Sequence, residues 1–166
     1  MTDGGWRPEV EELAQREAMA HELGGPDKVA RQHAAGRLTV RERIEVLLDE
    51  GSFHEVGALA GRAEYDGDRL TAFMPSNIIT GRGRIDGRAV VICGDDFTVR
   101  GGAADASIHA KQVLAEQTAR ELRLPILRLL DGTGGGGSVR SLVDMGRTYV
   151  PYNPGWDHVV ANLSTV

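Results

Sequence analysis

"NIITGRGRIDGRAVVICGDDFTVRGG", residues 77–102, decides how this chain is read. The runs "NIITGRGRI" and "RAVVICG" flank Asp86 and Gly87. Asp-Gly between strand-forming runs is the strongest short hairpin signal, because both turn residues must take positive φ. Two antiparallel strands joined by a tight turn are therefore expected. Downstream, "ADASIHAKQVLAEQTARELRL" (104–124) sets Ile108, Val113, Leu114 and Leu122 among alanines and charges. This spacing predicts an amphipathic helix that ends before Pro125. "PILRLLD" (125–131) reads as a short buried strand, followed by "GTGGGGS" (132–138), a helix from about Ser138, and a last helical stretch in "GWDHVVANLSTV" (155–166). Strand, glycine loop and helix thus occur twice. Both loops, "VRGGAAD" and "LDGTGGGGS", lie at carboxyl ends of strands, where open α/β sheets place ligands.

Upstream, Pro8 to Leu23 carries apolar residues at helical spacing, closed by Gly24 and Gly25. Pro26 opens a second helix that ends near Gly36, and Thr39 with Glu42 makes a capping box before "IEVLL". The first fifty residues are expected to be helical, polar on most faces and poor in bulky core residues, a segment lying across a larger body. "EYDGDRLTAFMPS" (64–76) is read as an irregular exposed excursion.

Composition narrows the function. The chain has 166 residues, the length of one ordinary domain, and a net charge of −5. Its cations are scattered among acids, so nucleic acid and anionic membrane are poor partners. No apolar run reaches a membrane span and the N-terminus lacks a signal-peptide core, which places the expected compartment in the cytoplasm. Cys93 stands alone in an apolar run and is expected to be an inert core residue.

The glycine run demands a reason, since glycine loses the most freedom on folding and adds nothing to a core. A P-loop is rejected because Ser138 stands where its lysine belongs. Gly132, Gly134 and Gly137 satisfy the dinucleotide pattern literally, but Pro151 and Pro154 interrupt the required second strand. A linker reading lacks the usual serine-rich flanks. A backbone N–H pocket remains: glycines ahead of a helix can aim amide hydrogens at a developing negative oxygen, with the helix dipole behind them. Losing one such donor typically costs about 3 kcal/mol of transition-state stabilisation. Gly101 and Gly102, ahead of their own helix, can supply the partner donor.

"HAAGRLTVRERIEVLLDEGSF", "ITGRGRIDGRAVVICGDDFTVRGG", the helix of Lys111 and "RLPILRLLDGTGGGG", in that order, resemble the N-terminal part of the acyl-CoA carboxyltransferase β subunits of propionyl-CoA and related biotin-dependent carboxylases. The resemblance implies an α/β fold of the crotonase-like (ClpP/crotonase) type, a spiral of β-β-α units, here truncated and preceded by the helical segment 1–50. Residues 51–166 would be a partial N-domain on the acyl-CoA side, with the biotin-side domain absent. The implied reaction moves a carboxyl group from carboxybiotin, carried on a separate protein, to the α-carbon of an acyl-CoA through an enolate. No cofactor would be bound covalently. Biotin carboxylase and biotin carrier subunits would be the partners of a homo-oligomer.

Carried over by position, the backbone donors are Gly102 with Ala103 and Gly134 with Gly135. Gly101, Lys111 and Thr133 would line the acyl-CoA pocket. The family usually has an arginine after the second loop's small residues; this chain has Gly136 there, and Thr133 replaces a small residue. As a fragment the chain is expected to be inactive by itself. A non-catalytic CoA-binding or interaction module is the alternative, ahead of a dinucleotide-binding domain.

Several other residues have plain explanations. Asp95 and Asp96 lack a third metal ligand at suitable spacing and suit a turn or cap. Lys111 serves either a CoA contact or a structural ion pair, and His109 is solvated. Asp157 and His158 are adjacent on a helix and form no dyad. Ser138 lacks a nucleophile elbow and fits an N-cap.

Overall fold

The computed structural model describes residues 5–103 and 108–132, the side chain of His109 excepted. Three helices come first: α1 (Arg7–His21), α2 (Pro26–Ala34) and α3 (Val40–Leu47). A short strand β1 (His54–Val56) and a hairpin, β2 (Gly61–Asp66) with β3 (Arg69–Pro75), precede the long pair β4 (Ile78–Ile85) and β5 (Arg88–Asp95). A single 3-10 turn (Arg100–Gly102) leads on to α4 (His109–Leu122) and β6 (Ile126–Leu129). The main sheet runs β1-β4-β5-β6: antiparallel between β1 and β4 and between β4 and β5, parallel between β5 and β6. One β-β-α unit followed by its parallel strand is thus present among the described residues.

The expected hairpin forms in the expected register, Ile85 opposite Arg88. Asp86 and Gly87 both take left-handed φ, 50° and 76°, as a type I′ turn requires. The Asp49 carboxylate accepts both turn amides, from Asp86 at 2.9 Å and Gly87 at 2.8 Å. This fastens the end of α3 to the tip of the hairpin.

The period-two alternation of β4 and β5 sends side chains to two faces. Ile79, Val90 and Ile92 face Val40, Ile44 and Leu48, forming one core. Ile78, Val91 and Cys93 face Ala115 and Ala119 of α4, forming the other. Four-residue spacing puts the two alanines on one stripe of the helix. On the α3 side, glycines hold the layers close together. A Cβ on Gly83 would lie 2.4 Å from Leu48 Cδ1, one on Gly94 2.6 Å from Val40 Cγ2, and one on Gly81 2.6 Å from the Phe53 ring.

Thr39 caps α3 as read: its hydroxyl accepts from Glu42 N at 3.3 Å and its own N–H donates to the Glu42 carboxylate at 2.6 Å. The helical start is less peripheral than expected, because Val40, Ile44 and Leu48 belong to the central core. Residues 64–76 are a correction. They are not an irregular excursion but most of the β2–β3 hairpin, with a bulge at Glu64/Tyr65. Leu70 is the one buried large apolar side chain of these two strands, so the sequence carries too sparse an alternation to announce them. α1 covers this hairpin, with Tyr65 Oη donating to Glu12 at 2.8 Å and Arg16 bridging both. α4 begins at His109 rather than at Ala104; residues 104–107 lie outside the described region. No helix among the described residues is long and apolar enough to cross a membrane.

Candidate active site

Parallel pairing of β5 with β6 sets their carboxyl ends side by side, Gly94 opposite Leu129. The first glycine loop leaves from the end of β5 and meets Asp131 and Gly132, which follow β6. A Cβ on Gly102 would lie 2.6 Å from the carbonyl oxygen of Asp131 and 2.8 Å from Cα of Gly132, so the approach is possible only for a residue without a side chain. The Asp131 N–H also donates to the Asp95 carboxylate at 3.3 Å.

The first loop is a left-handed turn. Arg100, Gly101 and Gly102 have φ of 53°, 64° and 68°. Within it the Gly102 N–H donates to Val99 O at 3.1 Å and the Ala103 N–H to Arg100 O at 3.2 Å. Both donors expected to face a ligand are therefore bonded inside the turn in this conformation. Opening that turn would release two amides at one point.

A frame of buried polar groups holds the turn, and sequence reading missed it. Asn77, 1% exposed, donates its amide to Ala103 O at 2.7 Å, while its backbone carbonyl accepts from Asp96 N at 2.8 Å. Asp96, equally buried, accepts from Thr98 N at 2.9 Å and from the Thr98 hydroxyl at 2.6 Å. Burial pushes the Asp96 carboxyl up, against the pull of the Thr98 bonds. The Thr98 hydroxyl in turn accepts from Gly24 N at 2.9 Å, which fixes the α1–α2 junction to the loop. Gln32 of α2 donates to the Asp131 side chain at 3.2 Å. The bonds of Asn77 to Ala103, Gly24 to Thr98 and Gln32 to Asp131 join residues 26, 74 and 99 positions apart in sequence, and no local motif signals them. Ser76 is the group with a local signal that could have been found, since its hydroxyl accepts from Ile78 N, two residues on, as well as from Ile108 N.

The remaining expectations divide. Asp96 has the expected turn role, and Asp95 accepts from the second loop, its carboxyl raised by burial. No group of His, Cys, Asp or Glu among the described residues is arranged to hold a metal. Cys93 is buried and its thiol is pushed up to about 11 by desolvation, as an inert core residue would be. Lys111 is also buried, its methylenes against Gly57. Burial lowers its pKa while the Glu55 charge opposes that. It forms no ion pair within 4.0 Å among the described residues; Glu55 of β1, Arg41 of α3 and Cys93 of β5 are the charged and titratable groups that act on it. Arg41 instead takes Glu55, at 2.8 Å. Thr133, Gly134, Gly135, Gly136, Ser138, Asp157 and His158 lie outside the described residues, as does the side chain of His109.

The carboxyl transferase domain family matches residues 31–151. The carboxyltransferase subunit of propionyl-CoA carboxylase from Haloferax mediterranei is 34% identical over 126 residues, covering 75% of this chain and 24% of that protein. The methylmalonyl-CoA carboxyltransferase 12S subunit from Propionibacterium freudenreichii subsp. shermanii is 36% identical over 136 residues, 81% of this chain and 26% of the relative. A crystal structure of transcarboxylase 12S with methylmalonyl-coenzyme A bound superposes with a TM-score of 0.64 at 36% identity, over 76% of this chain and 25% of that one. The chain spans about a quarter of the length of these relatives.

Proposed function

Because the chain belongs to the carboxyl transferase domain family and has its crotonase-like fold, we propose that it forms the acyl-CoA side of a biotin-dependent carboxyltransferase. The observation that carries this reading is the contact of the Gly102 turn with Asp131–Gly132, which brings the first glycine turn against the backbone that leads into the second glycine run. In the proposed reaction the thioester loses an α-proton and its oxygen takes the charge. The enolate carbon then forms a bond to the carboxyl carbon as the bond from that carbon to biotin nitrogen breaks, and the nitrogen takes up the proton lost from the α-carbon. Carboxybiotin on its carrier supplies the carboxyl group; this chain's part is to hold the oxygen. The Gly102 and Ala103 amides do so by exchanging their bonds to Val99 and Arg100 for bonds to the oxyanion. Asn77 keeps Ala103 in place during that exchange. The second pair of donors, Gly134 and Gly135, would come from the run after Gly132, and Thr133 and Gly101 would border the thioester. The partners are a biotin carboxylase and its carrier subunit, and the complete protein is a homo-oligomer.

The internal bonding of both amides also suits a second reading, a module that binds CoA without catalysis. One experiment separates them: titration with propionyl-CoA, followed by NMR of the exchange of its α-hydrogens with deuterated water. Saturable binding with exchange that Gly102→Pro abolishes supports the enolate site; binding without exchange leaves the module. Absence of CoA binding together with NAD binding refutes both.

A further inference from the structure

We propose that Asp96 and Asn77 share a proton, held on Asp96 Oδ2 and donated to Asn77 Oδ1, and that through it Asp96 acts as a positioning residue for the glycine turn. That the turn so held serves an oxyanion rests on the function proposed above; the shared proton does not.

The two residues extend the β4–β5 ladder by one pair. Ile78 stands opposite Asp95, so Asn77 stands opposite Asp96, and the Asp96 N–H donates to Asn77 O at 2.8 Å. Residues directly opposite send their side chains to the same face, with Cβ atoms about 4.5–5.5 Å apart. Both residues are 1% exposed. Asn77 Nδ2 is engaged with Ala103 O, and Asp96 Oδ1 with the Thr98 N–H and hydroxyl. The other side-chain atoms of the pair, Asn77 Oδ1 and Asp96 Oδ2, are buried and make no hydrogen bond among the described residues.

With Asp96 ionised both of these atoms are acceptors, and each lacks the donor that its burial demands. The amide does not resolve this by turning over, because its oxygen would then face the Ala103 carbonyl. Within the pair only Asp96 can take up a further proton, and one O–H then satisfies both oxygens. The charged groups that bear on Asp96 are Arg41 of α3, which favours ionisation as the Thr98 bonds do, and Asp131 after β6, which opposes it; burial outweighs the first two and favours the neutral acid.

The consequence reaches the turn. With Oδ1 held, the Asn77 amide is fixed with its N–H toward Ala103. Ala103 then keeps its place when its own N–H and that of Gly102 leave Arg100 and Val99. Loss of the proton leaves two acceptors facing each other and frees the amide, so the turn loosens as pH rises through the titration of Asp96.

The test is NMR of the full chain over a pH series. The isotope-labelled aspartate carboxyl carbons follow the proton, with Asp96 assigned by its loss in Asp96→Asn. Amide hydrogen exchange at Gly102 and Ala103, expressed as protection relative to the unfolded chain, follows the turn. Asparagine keeps an N–H toward Asn77 and an oxygen toward Thr98, so it copies the neutral acid and does not titrate. The Asp96 carbon is expected to report the neutral acid above the ordinary aspartate range. Protection of the two amides is expected to fall at least tenfold in the parent as that carbon titrates and to stay constant in Asp96→Asn. Asp96→Ala should lose at least tenfold of the protection at every pH below that titration. An Asp96 carbon that ionises in the ordinary aspartate range overturns the shared proton. The same pH course of protection in parent and Asp96→Asn overturns the positioning role, as does full protection in Asp96→Ala. If Asp96→Ala fails to fold, the parent and Asp96→Asn decide between these outcomes. Neither readout needs a substrate, so the result is separate from that of the propionyl-CoA titration.

Discussion

Gly102→Ala tests whether the two loops meet as described. Alanine at φ 68° takes up left-handed backbone, which costs about 1–2 kcal/mol. Its Cβ would also stand 2.6 Å from Asp131 O and 2.8 Å from Gly132 Cα. Both neighbours are backbone atoms, so no rotamer change relieves the overlap and one loop must move, a cost of about 1–3 kcal/mol by analogy with overpacked cores. The sum is about 2–5 kcal/mol. Gly87→Ala is the internal standard: φ is 76° there, but nothing lies within 4 Å of the added carbon, so only the backbone cost of about 1–2 kcal/mol applies. Equilibrium urea unfolding of both variants and the parent gives the comparison, read as midpoint shifts at constant slope. The expected excess for Gly102→Ala is about 1–3 kcal/mol. Equal losses in the two variants would refute the contact, and with it the observation on which the proposed site stands.

Three further outcomes follow from the same structure. Thr39→Ala removes the hydroxyl half of the capping box and should cost about 1 kcal/mol in urea unfolding, with Thr39→Ser retaining most of it. Cys93, buried with its thiol raised to about 11, should resist an aromatic disulfide reagent in the native chain at pH 8 and react fully in urea. Lys111→Met probes the lowered lysine: in the parent, the unfolded chain keeps this proton at pH values where the folded chain has released it. Parent stability should therefore rise relative to the variant as pH climbs from the lowered value toward the ordinary lysine range, checked by unfolding at a series of pH values; a constant difference would contradict the burial.

The hairpin, the parallel strand after α4 and the capped helix were legible because each announces itself locally: Asp86–Gly87, the run before Asp131, and Thr39 three residues ahead of Glu42. The β2–β3 hairpin was not, since its strands are mostly solvated and only Leu70 marks their inner side. The glycine turn at 101–102 was legible as a candidate site, because two consecutive glycines at a strand's carboxyl end demand an explanation. The groups that hold it were not. Asn77, Thr98 and Gln32 act across long sequence separations through single hydrogen bonds, and polar residues of this kind are common in ordinary loops. Lys111 differs from these. The sequence reads it as a CoA contact or half of a structural ion pair, and its stem is enclosed beside Gly57, where only three-dimensional packing could put it.

Gly81, Gly83 and Gly94 make the face under α3 a mould whose depth is set from the helix side. With no side chain on the sheet to trim, any change of fit there has to come from Val40, Leu48 or Phe53, and enlarging one of the glycines asks for a smaller partner at the same time. Drift in these two layers is thus expected in coupled pairs: Gly83 with Leu48, Gly94 with Val40, Gly81 with Phe53. A library that varies one layer alone would sample mainly misfits.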